Sequence, residues 1–304
     1  MNYVILGAGG TGGCIGGFLA AAGKNVVFIA RGRHLQAMQE KGLTIHSDKK
    51  GEMHLKNIKA MGTDEYKSKA DVIFVSVKGY SLDDIVPFLK KAADRHTIII
   101  PILNIFGTGK ALAEKLPGKN VLEGCIYIVA WISAPGEITQ RSDIFRVVYG
   151  TRGETALRPQ LDQIAADLLS AGIAPVVSQN IAEDTYRKFT FVSPMAAVGA
   201  YYDITAQAMQ KQGEKRDAFA AAVKEVIEVG KAMGLNLDSG LFDKNLAIMD
   251  ALTPETTASM QKDLKKGGKS ELDGLVFEVV RMAEKFGVAV PIYTQIAKKF
   301  GFEK

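Results

Sequence analysis

The stretch from Met1 to Arg31 constrains the fold of this chain more than any other. Tyr3 to Leu6 is an apolar run with the character of a parallel strand buried on both faces. Gly7, Gly9 and Gly12 follow at the G-x-G-x-x-G spacing, with Gly10 and Thr11 between them. Cys14 to Ala22 is small and apolar, as a helix pressed onto a sheet must be, and Gly23 is placed to end that helix. Val26 to Ala30 reads as the second strand. In such a strand–turn–helix each glycine has a physical task. Gly7 allows the tight turn, Gly9 lets the backbone approach a pyrophosphate, and Gly12 lets helix and strand pack closely. The helix N-terminus presents N–H groups and the positive end of its dipole to the phosphates. Because the motif lies between a predicted strand and a predicted helix, Gly7, Gly9, Gly10, Thr11 and Gly12 are expected to bind a dinucleotide.

The end of the second strand selects which dinucleotide. An NAD site places Asp or Glu there to hold the ribose 2′-hydroxyl. This chain has Arg31, Gly32 and Arg33. A carboxylate repels a 2′-phosphate, whereas a guanidinium pairs with it through a bidentate fork. The expected cofactor is therefore NADP(H), with Arg31 as the main 2′-phosphate ligand and Arg33 as a second candidate. The competing reading makes both arginines solvated side chains opening a surface helix.

Beyond Arg31, strand-like and helix-like runs alternate. Arg31 to Lys41 is amphipathic, and Leu43 to His46 with His54 to Ala60 reads as a hairpin-like excursion. Asp71 to Lys78, Thr97 to Leu103, Val121 to Ala130 and Ala174 to Ser178 read as strands, and Gly136 to Tyr149 as antiparallel hairpin material. Between them, helices are predicted over Ser81 to Ala92 with Ser81 as N-cap, Gly109 to Leu116, and Thr155 to Ala171. Alternation of this kind predicts an α/β fold, a Rossmann-type doubly wound parallel sheet with right-handed crossovers. From about Ile181 helical periods dominate: Glu183 to Tyr201, Lys215 to Met233, Ser239 to Ala251, Pro254 to Lys265 with Pro254 at N1, Ser270 to Phe286, and Pro291 to Phe300. The expected organisation is an NADP-binding domain over 1–180 and an all-α substrate or dimerisation domain over 181–304, divided near 179–182. Substrates favour clefts between such domains.

Composition narrows the function classes. The chain carries a net charge of +5 and a pI near 9.0, with its basic residues dispersed. No basic tract with interleaved aromatics points to nucleic acid, whereas a positive surplus suits an anionic cofactor and an anionic substrate. Cys14 and Cys125 lie far apart in apolar or glycine-rich runs, and His34, His46, His54 and His96 follow no ligand spacing, so no metal site is expected. Buried thiols in a reducing compartment, with neither a signal peptide nor a membrane-spanning run, give the expectation of a cytoplasmic protein.

Ligands of open parallel sheets sit beyond the carboxyl ends of the strands. Lys78 and Asn104 close two predicted strands there. Lys78 can reach phosphate, ribose or a substrate carboxylate, and Asn104 can donate to a carbonyl or a ribose hydroxyl; for each, a solvated loop residue is the alternative. Lys188 lies before the apolar run Phe189 to Val192, where a lysine either snorkels or is enclosed for function. Glu271 begins a predicted helix and can simply favour its dipole. Ser259 and Asp263 share one helical face.

In order and spacing these pieces resemble the ketopantoate reductase (2-dehydropantoate 2-reductase) family over essentially the whole chain. The resemblance rests on the glycine fingerprint with arginine after the second strand, Val77-Lys78, Asn104 in Ile102-Leu-Asn-Ile-Phe-Gly, Arg187-Lys188-Phe, Ser259 to Asp263, Ser270-Glu271-Leu-Asp-Gly, and Val288-Ala-Val-Pro291. It implies that Lys188 is the general acid, supported by Glu271, and that Asn104 and Ser259 contact cofactor or substrate. It also implies NADPH-dependent reduction of 2-dehydropantoate to pantoate, in pantothenate biosynthesis. All-α second domains of this type often carry an interface, so a homodimer is a candidate assembly. Two features depart from the family pattern. Its asparagine loop is usually Asn-Gly-x-Gly, but Ile105 follows Asn104 here. Its two asparagines four and eight residues after the lysine are Val192 and Ala196 here. Three alternatives therefore stand: reduction of a different 2-oxo acid, reduction of an imine or oxidation of a 3-hydroxy acid on the same plan, or a non-catalytic NADPH-binding sensor.

Overall fold

The structure is a computed structural model and describes residues 1–153 and 157–303. It divides into two compact units, one formed by Met1–Leu103 with Gly107–Ile181, the other by Asn104–Phe106 with Ala182–Lys304.

The first unit opens with β1 (Asn2–Leu6), α1 (Gly10–Ala21), β2 (Asn25–Ile29) and α2 (Gly32–Lys41), followed by β3 (Leu43–Ser47), β4 (Gly51–Leu55), β5 (Lys59–Met61) and β6 (Val72–Val75). It continues through α3 (Val86–Ala92), β7 (Ile98–Pro101), α4 (Thr108–Lys115), β8 (Asn120–Val121), β9 (Glu123–Ala134), β10 (Glu137–Gly150), α5 (Arg158–Ser170) and β11 (Ala174–Val177). Six strands pair in parallel in the order β5-β2-β1-β6-β7-β8. Taken in chain order these strands run 3-2-1-4-5-6, and the order reverses between β1 and β6. Their side chains alternate between two buried clusters. Tyr3, Ile5, Phe28 and Phe74 face one side with Phe18 and Leu19 of α1. Val4, Leu6, Ile73 and Val75 face the other with Leu89 of α3 and Leu112 of α4. A period of two with both faces covered is why these strands read as continuous apolar runs.

A second, five-stranded sheet holds the remaining strands. β10 pairs in parallel with β11 and β3 and antiparallel with β9, and β3 forms a hairpin with β4. Ala174 to Ser178 was expected in the nucleotide-binding sheet; the strand instead extends the second sheet, with Val148 opposite Val176. The run predicted as one strand from Val121 divides at Leu122, so β8 closes the first sheet and β9 opens the second. Ser81 does not cap α3: it closes a short 3₁₀ turn, and the helix begins at Val86 because Pro87 supplies an N1-type start. The helix predicted from Thr155 is seen from Arg158, its first predicted residues lying outside the described ones.

The second unit contains α6 (Ile181–Tyr202), α7 (Ala206–Gln210), α8 (Glu214–Ala232), α9 (Leu241–Ala251), α10 (Ser259–Lys265), a π-helical turn over Asp273–Phe277, α11 (Glu278–Phe286) and α12 (Pro291–Lys299). Its core gathers Tyr186, Phe189, Phe219, Val226, Val279 and Tyr293. Pro254 does not start a helix. The Thr256 N–H donates to the Thr253 carbonyl, which places Pro254 second in a turn, where its fixed φ also fits. The predicted helix from Ser270 is interrupted at its start by the π-turn.

Candidate active site

The glycine loop is built as its spacing predicts. Gly7 has φ +98°, and a Cβ there would lie 3.0 Å from the Ser76 and Val77 backbone. A Cβ at Gly12 would come within 2.1 Å of Ser76 Oγ and 2.4 Å of the Gly7 carbonyl, so only hydrogen fits. Around a Cβ at Gly9 there is open space. α1 starts just after Gly9 with no side-chain cap and no acidic residue in its first turn, leaving its positive end for an anion. The helix ends in a Schellman motif: Gly23, at φ +76°, donates to Ala20, and Lys24 donates to Leu19. Ser76, at the end of β6, donates to the Gly7 carbonyl at 2.8 Å and ties the loop across the point where strand order reverses. The sequence reading missed Ser76, although a lone hydroxyl closing an apolar strand was a usable signal.

Three expected cofactor ligands stand beyond the same strand ends. Arg31 is exposed and extended just after β2, and Arg33 is exposed in the first turn of α2. Lys78 is half-buried after β6. Glu123, also missed, is 4 % exposed and accepts from the Gly109 and Lys110 N–H groups at 3.0 and 2.9 Å, while bonded to Arg152. This carboxylate occupies the N-terminus of α4 and stabilises its dipole.

In the second unit the structure brings Asn104 and Lys188 together. Lys188 Nζ donates to Asn104 Oδ1 at 2.7 Å, a charge-assisted bond between residues far apart in sequence. With the amide oxygen turned to the ammonium, the amide NH₂ of Asn104 is directed elsewhere. Phe106 stands edge-on to Tyr186, with ring centroids 4.8 Å apart, and anchors the Asn104 segment from its other end. Val192 lies one helical turn beyond Lys188 and is half-buried, and Ala196 is buried. Glu271 is 5 % exposed, and its carbonyl accepts from the Leu275 N–H at 2.9 Å at the entrance to the π-turn. Ser259 is exposed at the first position of α10.

Behind the π-turn lies a polar chain that sequence periodicity did not reveal. Ser193 Oγ donates to the Leu275 carbonyl at 2.7 Å and lies 2.5 Å from Tyr293 Oη. Burial holds the Tyr293 phenol well above its usual range, so it remains a donor, and the single Ser193 proton goes to Leu275. Nearby, Glu225 accepts from the Ile292 and Tyr293 N–H groups and caps α12. Among the described residues no cluster of three His, Cys, Asp or Glu could hold a metal, and no helix is long and apolar enough to cross a membrane.

The family model for "Ketopantoate reductase PanE/ApbA" matches residues 3–154, and that for its C-terminal region matches residues 180–301. The chain is 26% identical to the 2-dehydropantoate 2-reductase of Pyrococcus horikoshii, over 96% of this chain and 94% of that one. It is 25% identical to the uncharacterised oxidoreductase YkpB of Bacillus subtilis, over 96% and 95%. Among solved structures, the ternary complex of D-mandelate dehydrogenase with NADH and anilino(oxo)acetate shares the fold at a TM-score of 0.88 and 23% identity, covering 98% of this chain and 96% of that one. With both halves matched, this chain belongs to the PanE/ApbA ketopantoate reductase family of oxidoreductases.

Proposed function

We propose that the protein reduces 2-dehydropantoate to pantoate with NADPH, and that Lys188 is the general acid. The Lys188–Asn104 bond is the observation that carries this reading, since it holds an ammonium at one fixed point instead of letting it snorkel. The residues around the glycine loop suit the cofactor. Uncapped N–H groups and the open face of Gly9 would receive its pyrophosphate, and Arg31 would pair with a 2′-phosphate. When bound, the nicotinamide supplies a hydride to the C2 carbonyl carbon.

The remaining steps belong to this chain. As negative charge develops on the carbonyl oxygen, the Lys188 ammonium stabilises it and transfers a proton. Asn104 accepts one Lys188 N–H and so fixes the direction of the ammonium. Glu271 would hold Lys188 in its charged form, because a neighbouring carboxylate opposes the deprotonation that burial favours. Ser259 and Asn104 would orient the acid.

A second reading follows from Ile105, Val192 and Ala196, which replace polar or smaller family residues with apolar ones. A 2-oxo acid with a larger apolar group suits that change, and the similarly folded D-mandelate dehydrogenase has been captured with anilino(oxo)acetate. NADPH consumption with ketopantoate, beside branched and aromatic 2-oxo acids, separates the two. Turnover of ketopantoate above the others supports the first reading. A preference for a bulky acid selects the second. Tight NADPH binding without turnover of any member refutes both and leaves the sensor.

A further inference from the structure

We propose that Ile105 and Gly274 are a matched positioning pair that sets the Asn104 amide oxygen on the Lys188 ammonium. The inference rests on the catalytic reading above, but its geometry is independent of that reading. Gly274 lies inside the π-turn and is buried. A Cβ on it would meet three atoms of Ile105 at 2.4, 2.7 and 2.9 Å, so the isoleucine side chain fills the notch that the missing Cβ leaves. Gly274 has no positive φ, and the backbone itself would therefore accept alanine. The glycine is required by the neighbour, not by the turn.

The notch is rigid because its next residue is fixed. The Leu275 carbonyl takes the Ser193 hydroxyl, and Tyr293 donates to that hydroxyl, all with little or no solvent exposure. A π-turn holds one residue more than an α-turn and needs such support to persist. Next along the chain from Ile105, Phe106 packs against Tyr186 and Phe189. Asn104 thus leads into two anchored apolar side chains, which hold its backbone where its side chain reaches Lys188.

The test uses purified full-length protein and two readouts. Acetic anhydride acylates neutral amines, and peptide mass spectrometry follows labelling of Lys188 at one fixed pH. Losing the Asn104 acceptor releases Nζ from its fixed hydrogen bond and makes the nitrogen more available to the reagent. Gly274→Ala is expected to raise the labelling rate about tenfold, as Asn104→Ala does, with circular dichroism unchanged. Ile105→Ala is expected to raise it as well, and supplies the test if Gly274→Ala fails to fold. In Ile105→Ala/Gly274→Ala the new methyl occupies the space the isoleucine left, and labelling should return toward wild type, a non-additive result. On the best 2-oxo acid, kcat should fall in each single variant and recover in the double variant, while the NADPH Kd stays constant. Wild-type labelling in folded Gly274→Ala, or simple additivity in the double variant, overturns the pair. Wild-type kcat in Lys188→Ala would instead overturn the catalytic reading and leave the labelling result standing.

Discussion

Replacing Lys188 with alanine removes the ammonium and leaves the Asn104 amide oxygen without its 2.7 Å donor. Two losses follow, of different size. A general acid contributes roughly 10²–10⁴ in rate, so kcat should fall at least about a hundredfold, or about 2.7 kcal/mol in barrier. The stability loss is smaller. Asn104 and Lys188 are both half-buried, so water can replace the lost donor, and the cost falls near the low end of the 1–3 kcal/mol range for an unsatisfied group, about 1 kcal/mol. The melting temperature should drop by a few degrees at most. NADPH affinity should stay the same, because the glycine loop and Arg31 belong to the first unit and Lys188 to the second. The assay is steady-state NADPH oxidation on the best 2-oxo acid, with fluorescence titration of the cofactor and a thermal melt on the same sample. Asn104→Ala should cost about tenfold in kcat, and the double variant should cost less than the product of the two single losses, since part of the asparagine's effect passes through the lysine. A Lys188→Ala enzyme with kcat within a few-fold of wild type, at unchanged NADPH affinity, would refute the reasoning.

Further outcomes test the rest of the architecture. Arg31→Ala should weaken NADPH about tenfold and leave NADH nearly untouched, because an exposed charge-assisted pair lies at the low end of its range; equal loss for both cofactors in a binding titration would show that Arg31 does not meet the 2′-phosphate. Gly12→Ala drives a methyl into Ser76 Oγ and the Gly7 carbonyl and should cost about 1–3 kcal/mol in a denaturant melt, together with cofactor affinity; a neutral result would contradict the loop geometry. Asp167 is 5 % exposed and accepts from Tyr3 Oη and Lys24 Nζ. Burial pushes its carboxyl upward, but the bonds from Lys24 and Tyr3 outweigh that and hold it below the ordinary value of 3.8. The stability this provides is present above that value and disappears as pH falls through the lower folded-state value. Asp167→Ala should therefore cost about 2 kcal/mol at neutral pH, a gap that narrows in acid; a pH-independent difference in urea midpoint would be the wrong sign of behaviour.

The two kinds of information divide along the range of the forces involved. Local rules placed most of the first unit's parallel sheet and its glycine loop. A strand buried on both faces, a turn that tolerates no side chain at Gly12, and a helix ended by Gly23 are decided within a few residues of each other, and arginine after the second strand is legible for the same reason. Local rules also marked Lys188 and Asn104 as polar residues in apolar surroundings. They could not show that the two meet, because the bond joins residues 84 positions apart that the fold gathers into one unit. They misplaced β11, since an apolar run carries no label for which sheet it joins. They ran a helix straight through Asp273–Phe277, since a π-turn has the same helical period nearby and is held by Ser193 and Tyr293 from other helices. The Ile105–Gly274 contact belongs to the same class: Ile105 alone looks like a departure from a pattern, and only packing shows that it fills the space Gly274 leaves. Sequence thus determined the glycine loop and the residue types available for chemistry, while tertiary structure decided which of them touch, because shape complementarity is a property of pairs that the linear order keeps apart.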